Sequence, residues 1–494
     1  MQFYRIYDED LGQASYLVGC TRTHQALVVD PRRDVDIYLE TARRHGLTIA
    51  AVAETHVHAD FLSGARELAH ATGATLYLSE EGDARWKYKG LSGFVHVGLV
   101  DNDTFFVGDV RISVRHTPGH TPEHLVFLIT DPDVSQEPMM MLSGDFVFVE
   151  DLGRPDLLEE LGSGPGQAKA GAEALFESLR RVFLELPAHL QIWPGHGAGS
   201  ACGKSLSAIP VSTVAYELKH RWWGELVRRN ERQSFADRLL AGQPEAPLYF
   251  AKMKQLNRDG MTILGGVPLP TKLTPGEFGK KLTEGGALLV DTRSKEAFAT
   301  RHLKASFHVP YGYKFSTWAG WMLPYYRPLI LLAATRDEAE ELMRKLLRIG
   351  HDDVIGYITD LDDIAEIADF GSVPRIDADE AFHIWEQDEA VFVDVRSNAE
   401  YDHSHIPGAV HVFAGRIIKD LDMIPRDRPV VVHCSSGNRS SIAASALLAH
   451  GFDKVINFAG GFNAWKEHIF PEQTARSTGT KERPGKHGEL PQLH

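Results

Sequence analysis

Thr55-His56-Val57-His58-Ala59-Asp60-Phe61 sets two histidines and an aspartate at alternating positions just after the apolar run Ile49–Ala53. Imidazole nitrogens and a carboxylate clustered at a strand end form a metal-ligand pattern, because the strand holds the loop that carries them. The flanking chain shows the frame around it. Ser15–Asp30 reads as two strands about a turn, with Ala26–Val29 a buried run closed by Asp30-Pro31. Val35–Arg44 has helical spacing, Ile49–Ala53 is the next strand, and Gly64–Ala71 reads as a helix. Strand, loop and helix alternate, which predicts layered α/β structure with strands at the centre.

The opening stretch resembles the metal motif of the metallo-β-lactamase superfamily. In the dinuclear hydrolases of that superfamily, the position after the aspartate is a further histidine that binds the second metal. Here it is Phe61, which ligates nothing. Three later segments match in order. His116-Thr117-Pro118-Gly119-His120-Thr121-Pro122 resembles the Pro-Gly-His turn and gives His120 a ligand position. Leu142-Ser143-Gly144-Asp145 resembles the strand-end aspartate, followed by Gly153-Arg154-Pro155-Asp156, and Trp193-Pro194-Gly195-His196-Gly197 carries the last superfamily histidine. A lone histidine more often satisfies a core hydrogen bond. His45, His70, His96 and His124 are read that way, as ordinary surface or core residues.

The resemblance implies a mononuclear site in which His56, His120 and Asp145 form a two-histidine, one-carboxylate face. Such a face leaves positions open on Fe(II) for substrate and dioxygen. His58, Asp60 and His196 would stand behind the ligands and orient them or accept protons. Arg154 and Cys202, with Ser212-Thr213, are candidates for the substrate pocket, although a packing role for Cys202 is weighed equally. The pattern resembles persulfide dioxygenases, which oxidise the outer sulfur of a thiol persulfide to sulfite. A glyoxalase II-like zinc thioesterase is the alternative, and Phe61 argues against its dinuclear site.

The second half contains a repeat. Leu288-Leu289-Val290-Asp291-Thr292-Arg293 returns as Val391-Phe392-Val393-Asp394-Val395-Arg396, and Arg327-Pro328-Leu329-Ile330-Leu331 returns as Arg428-Pro429-Val430-Val431-Val432. Two copies of about 100 residues imply two homologous α/β domains. Both resemble rhodanese domains, from the Asp-x-Arg strand end through the histidine turn His405-Ile406-Pro407-Gly408-Ala409. The earlier copy departs there, with Lys304 and Ser306 in place of Pro407 and Ala409.

Only the last copy carries Cys434-Ser435-Ser436-Gly437-Asn438-Arg439-Ser440, between a strand and a helix. A cysteine at a helix N-terminus meets backbone N–H groups that favour anionic sulfur. The loop resembles that of thiosulfate sulfurtransferases, which makes Cys434 the persulfide carrier and Arg439 a partner for an oxyanion. A phosphatase is the rival reading, but would favour a longer loop. An offset of 101 puts Ala333 at the position of Cys434, and the middle copy holds no cysteine. It is read as an inactive spacer or docking surface. Cys20 is read as a packing residue.

At 494 residues the chain is expected to hold about three domains. Its net charge of −15 disfavours nucleic acid and anionic membranes as partners. No apolar run reaches the ~20 residues of a bilayer span, and Met1–Asp10 lacks a signal-peptide core. Three well-separated cysteines suit a reducing compartment, so a cytoplasmic location is expected. The expected architecture is α/β throughout. A metallo-β-lactamase αββα sandwich spans 1–268, an inactive rhodanese-like domain 269–372, an active one 373–472, and a disordered tail 473–494. The expected activities are persulfide dioxygenase, with one Fe(II) per chain, and sulfurtransferase. The expected partners are a low-molecular-weight thiol persulfide, O2, sulfite and thiosulfate, and a homo-oligomer stays open. So does a sulfur-carrier scaffold with a degenerate metal site.

Overall fold

The computed structural model of the chain describes residues 1–159, 164–312 and 314–469. The tail expected at 473–494 lies outside the described residues. The chain divides into two compact units, Met1–Pro268 with Arg344–Gly350, and Leu269–Met343 with the residues from His351 onward.

In the first unit, β1 (Gln2–Asp8), β2 (Gln13–Gly19), β3 (Gln25–Val29), β4 (Thr48–Ala53), β5 (Thr75–Ser79) and β6 (His96–Leu99) form one sheet in chain order. Its pairing is antiparallel as far as β3 and parallel beyond it. A second sheet runs β7 (Thr104–Val107), β8 (Val110–His116), β9 (Leu125–Thr130), β10 (Met140–Gly144), β11 (Gln191–Pro194) and β12 (Ser212–Thr213). Within it only β10 and β11 pair in parallel.

Side chains alternate between the two faces of a strand, and that alternation builds the layers. Ala14, Tyr16 and Val18 of β2 and Leu27 and Val29 of β3 pack with Ile112, Val114 and Phe127 in a core between the sheets. Leu17 and Val28 point the other way, into a second core with Tyr38 and Leu68 from helices Asp36–Arg44 and Ala65–Thr72. Helix Gln167–Arg181 covers the outer face of the second sheet with Ala172, Leu175, Phe176 and Leu179. The result is the expected αββα sandwich. Chain leaving β4, β8, β10 and β11 carries His56, His120, Asp145 and His196.

The second unit holds the repeat. In the earlier copy, strands Phe307–His308, Leu288–Asp291, Leu329–Leu332 and Val354–Ile358 lie side by side in parallel. In the later copy, the order is Arg375–Ile376, Val455–Phe458, Val430–His433, Val391–Asp394 and Val410–His411, again parallel. The buried central strands are nearly continuous apolar runs, as sheets covered on both faces require. The duplication persists at atomic detail. Arg293 pairs with Asp291 and donates to Arg301 O at 2.7 Å, as Arg396 pairs with Asp394 and donates to Ser404 O at 2.7 Å. His308 Nε2 and His411 Nε2 each lie 2.9 Å from the carbonyl of the Asp-x-Arg arginine.

Candidate functional site

His56, His120 and Asp145 meet at the strand ends, all buried, with ligand atoms within 4.8 Å of one another. His120 Nε2 lies 3.4 Å from Asp145 Oδ2, and His56 Nε2 lies 4.0 Å from the same oxygen. His196 Nε2 reaches the other oxygen, Oδ1, at 3.4 Å and Asp60 Oδ2 at 3.3 Å. His196, placed behind the ligands by the sequence reading, therefore approaches Asp145 as closely as His120 does.

Hydrogen bonds fix which nitrogen of each ring carries the proton. Thr55 Oγ1 donates to Asp30 Oδ2, so it accepts from His56 Nδ1, at 2.9 Å. His120 Nδ1 lies 3.0 Å from Arg154 O, and His196 Nδ1 lies 3.2 Å from Gly12 O, both carbonyl acceptors. Each ring thus keeps Nδ1 for its hydrogen-bond partner and turns Nε2 toward a carboxylate. His56 Nε2, His196 Nε2 and both oxygens of Asp60 and Asp145 make no hydrogen bond among the described residues. Converging lone pairs without a proton between them repel one another, and a cation relieves that repulsion. The donor set fits a metal. Burial and the neighbouring imidazoles hold His56 well below the ordinary histidine range, and burial lowers His120, so both are neutral as ligands must be.

His58 is directed elsewhere. Its Nε2 lies 3.0 Å from Asp30 Oδ1 and 3.2 Å from Glu54 Oε2, and its ring leans on Phe61 at 4.5 Å between centroids. Burial opposes its charge, but the two carboxylates push it well above the ordinary range. Asp60 groups with His196 and Cys202, and burial raises both the Asp60 carboxyl and the Cys202 thiol. Arg154 meets the centre through its carbonyl alone. Its buried guanidinium is spent on Asp156, Ala201 O and Pro244 O. Ser212 and Thr213 bond into helix Val214–His220, where Thr213 is the N-cap. Arg154, Ser212 and Thr213 thus make contacts within the protein around the centre.

Residues that the sequence reading passed over complete the centre. His124 accepts from the Asp145 backbone N–H at 3.0 Å, its other nitrogen bonds Thr117 Oγ1, and its ring stacks on His56. Gly144 (φ 47°) brings Asp145 in, because a Cβ there would lie 2.6 Å from Thr55 Oγ1 and 2.8 Å from His124 Nε2. Glu123 accepts from the Val57 N–H, and burial raises it to about 7. Asp30, at φ 52°, joins Thr55 to His58. Its Asp-Pro sequence at a strand end was its one visible signal.

The cysteine loop has the opposite polarity. Cys434 is buried, and its sulfur accepts from the Gly437 N–H at 3.1 Å and lies 3.7 Å from Ser440 Oγ. Gly437 (φ 92°) starts helix Asn438–Ala449, and a Cβ there would collide with Ala459 O. Arg439 is held by Glu400 in a two-pronged pair at 2.5 and 2.8 Å and by Ser435 Oγ at 2.8 Å. Its expected oxyanion-binding charge is therefore engaged inside the protein. In the cysteine-free copy, the Glu338 carboxylate meets the corresponding loop and accepts from the Ala334 N–H at 3.2 Å.

The profile of the Metallo-beta-lactamase superfamily matches residues 8–196, and that of the Rhodanese-like domain matches 274–365 and 377–468. A crystal structure of a metallo-beta-lactamase from Staphylococcus aureus subsp. aureus COL is 40% identical, with a TM-score of 0.66, and the match covers 72% of this chain and 99% of that one. The chain belongs to the metallo-β-lactamase superfamily. Two rhodanese-like domains extend its superfamily fold, a fusion of the hydrolase-like or sulfur-metabolism kind. A hydroxyacylglutathione hydrolase from Nitrosococcus oceani is 30% identical over 37% of this chain and 61% of its own length. A probable polyketide biosynthesis zinc-dependent hydrolase, BaeB, from Bacillus velezensis is 23% identical over 44% of this chain and 87% of its own length. Among the described residues, no helix is long and apolar enough to cross a membrane.

Proposed function

We propose that the chain oxidises a low-molecular-weight thiol persulfide to sulfite at one Fe(II) and passes sulfur through Cys434. The orientation of His58 carries this reading. With His58 turned onto Asp30 and Glu54 and Phe61 at its side, His56, His120 and Asp145 remain as a three-donor face. A two-histidine, one-carboxylate face is the ligand type of oxygen-using non-haem iron. Iron bound there would supply the redox partner for dioxygen. The protein's own residues hold the ligands. Thr55 and the Arg154 carbonyl fix the His56 and His120 rings, His124 fixes the Asp145 backbone, and the Gly12 carbonyl fixes His196 beside them. The overall balance is RSSH + O2 + H2O giving RSH and H2SO3. At the second centre, the Cys434 thiolate attacks the outer sulfur of thiosulfate, the S–S bond breaks, and sulfite leaves with the bonding pair. Run in reverse, the Cys434 persulfide and sulfite give thiosulfate.

A dinuclear zinc hydrolase is the second reading. The cluster of Asp60, His196 and Cys202 beside Asp145 Oδ1 favours it, as do the hydrolases among the relatives. Anaerobic purification followed by metal counting separates the two. The oxygenase reading expects iron in a single site, and two tightly held zinc ions with thioester hydrolysis would overturn it.

A further inference from the structure

The two rhodanese-like copies share one compact unit, and the copy without a cysteine reaches the loop of the copy that has one. Lys295 opens the short helix Lys295–Thr300 behind its N-cap, Ser294. Its Nζ donates to Ser436 O at 2.9 Å, and a Cβ built on Gly437 would lie 3.4 Å from the same ammonium. The Gly437 N–H is in turn the donor to Cys434 Sγ. Two further contacts hold the copies in register. His308 of the cysteine-free copy bonds Ser441 Oγ through Nδ1 at 3.0 Å, and its backbone N–H donates to Ser445 Oγ at 2.9 Å. Both serines lie on the helix that follows the loop.

Charge around the loop is unevenly available. The Arg439 guanidinium is neutralised by Glu400, which Arg439 holds at about 2 although burial opposes it. An ammonium has three N–H donors. Ser436 O takes one from Lys295, which leaves donors for an incoming anion.

We propose that Lys295, from the cysteine-free copy, is the anion-recognising residue of the Cys434 site and selects sulfur oxyanions, thiosulfate in one direction and sulfite in the other. The inference rests on Cys434 being the sulfur carrier. It gives the cysteine-free copy a chemical part in the other copy's site. As sulfite departs, the sulfonate takes up the negative charge of the broken S–S bond, next to the ammonium.

The test uses the full chain and the variants Lys295→Met and Lys295→Arg. Alkylation of Cys434 is followed peptide by peptide, with anionic iodoacetate and neutral iodoacetamide as matched probes. The iodoacetate-to-iodoacetamide rate ratio should fall about tenfold in Lys295→Met and stay near wild type in Lys295→Arg. KM for thiosulfate should rise about tenfold in Lys295→Met, with kcat changed less than about threefold. In wild type the ratio should also fall as salt rises from about 0.05 to about 0.5 M, a readout that needs no variant to fold. Equal loss of both alkylation rates, or a salt-independent wild-type ratio, would overturn the assignment and leave Lys295 a clamp between copies. Absent sulfurtransferase turnover with an intact charge effect would instead overturn Cys434 as carrier and leave Lys295 as its anion-recognising neighbour.

Discussion

At the sandwich edge, three imidazoles turn their Nε2 atoms toward two carboxylates. In the Cys434 loop, an N–H and a helix N-terminus turn toward a sulfur. The first arrangement is short of positive charge and suits a cation. The second offers hydrogen-bond donors and suits an anion. The Ala333 loop has no sulfur, and there the Glu338 carboxylate of the same copy accepts from the Ala334 N–H. The polarity of each site, more than its residue count, sets which kind of ion it suits.

The largest effects should come from removing a ligand of the first site or the sulfur of the second. His120→Ala should lower oxygen uptake by at least about a thousandfold and leave thiosulfate sulfurtransferase activity within about twofold. Cys434→Ser should abolish sulfur transfer and spare oxygen uptake on a small persulfide. Parallel assays of both variants check this. Loss of both activities in either variant would mean that the centres are not separable.

Next in size is the support of the metal face. His124→Ala removes the acceptor of the Asp145 N–H and a ring stacked on His56. It should weaken metal affinity about 10- to 100-fold, the usual scale for a residue that orients a ligand, as read by competition with a chelator. His124 also shows where sequence reading stops. His56, His120 and Asp145 sit in motifs whose spacing marks strand ends, and the repeated Asp-x-Arg signals the duplicated domain. His124 lies eight residues beyond His116 with nothing to separate it from an ordinary core histidine. Its role depends on β9 bringing it under Asp145. His58 was already placed outside the ligand face, but its partners were equally hidden, because Asp30 and Glu54 come from the ends of two different strands. The engagement of Arg439 by Glu400 needed helix Asn398–His403 folded against the loop.

Ala333→Cys tests the contrast between the two loops. The new thiol would share its loop with the Glu338 carboxylate, which disfavours a thiolate. Thiosulfate sulfurtransferase activity measured in an Ala333→Cys, Cys434→Ser background should stay at background level. Recovery of activity would show that Glu338 does not block the site.

The smallest effect concerns Glu400. Burial would raise its carboxyl, but Arg439 and Ser435 hold it at about 2, below the ordinary 4.5. A lowered acid stabilises the fold fully above its unfolded value and loses that contribution as pH falls through the folded one. Glu400→Gln should therefore cost about 1 kcal/mol or less near neutral pH, given a half-exposed pair. The gap from wild type should close between pH values of about 4.5 and about 2. Denaturant unfolding at a series of pH values measures it.

Metal content and oxygen consumption of the anaerobically purified protein, given a panel of low-molecular-weight thiol persulfides, decide between the two readings. A single iron per chain is expected, with one O2 consumed for each sulfite or thiosulfate formed. Two zinc ions per chain, thioester hydrolysis and no oxygen uptake on any persulfide would contradict it.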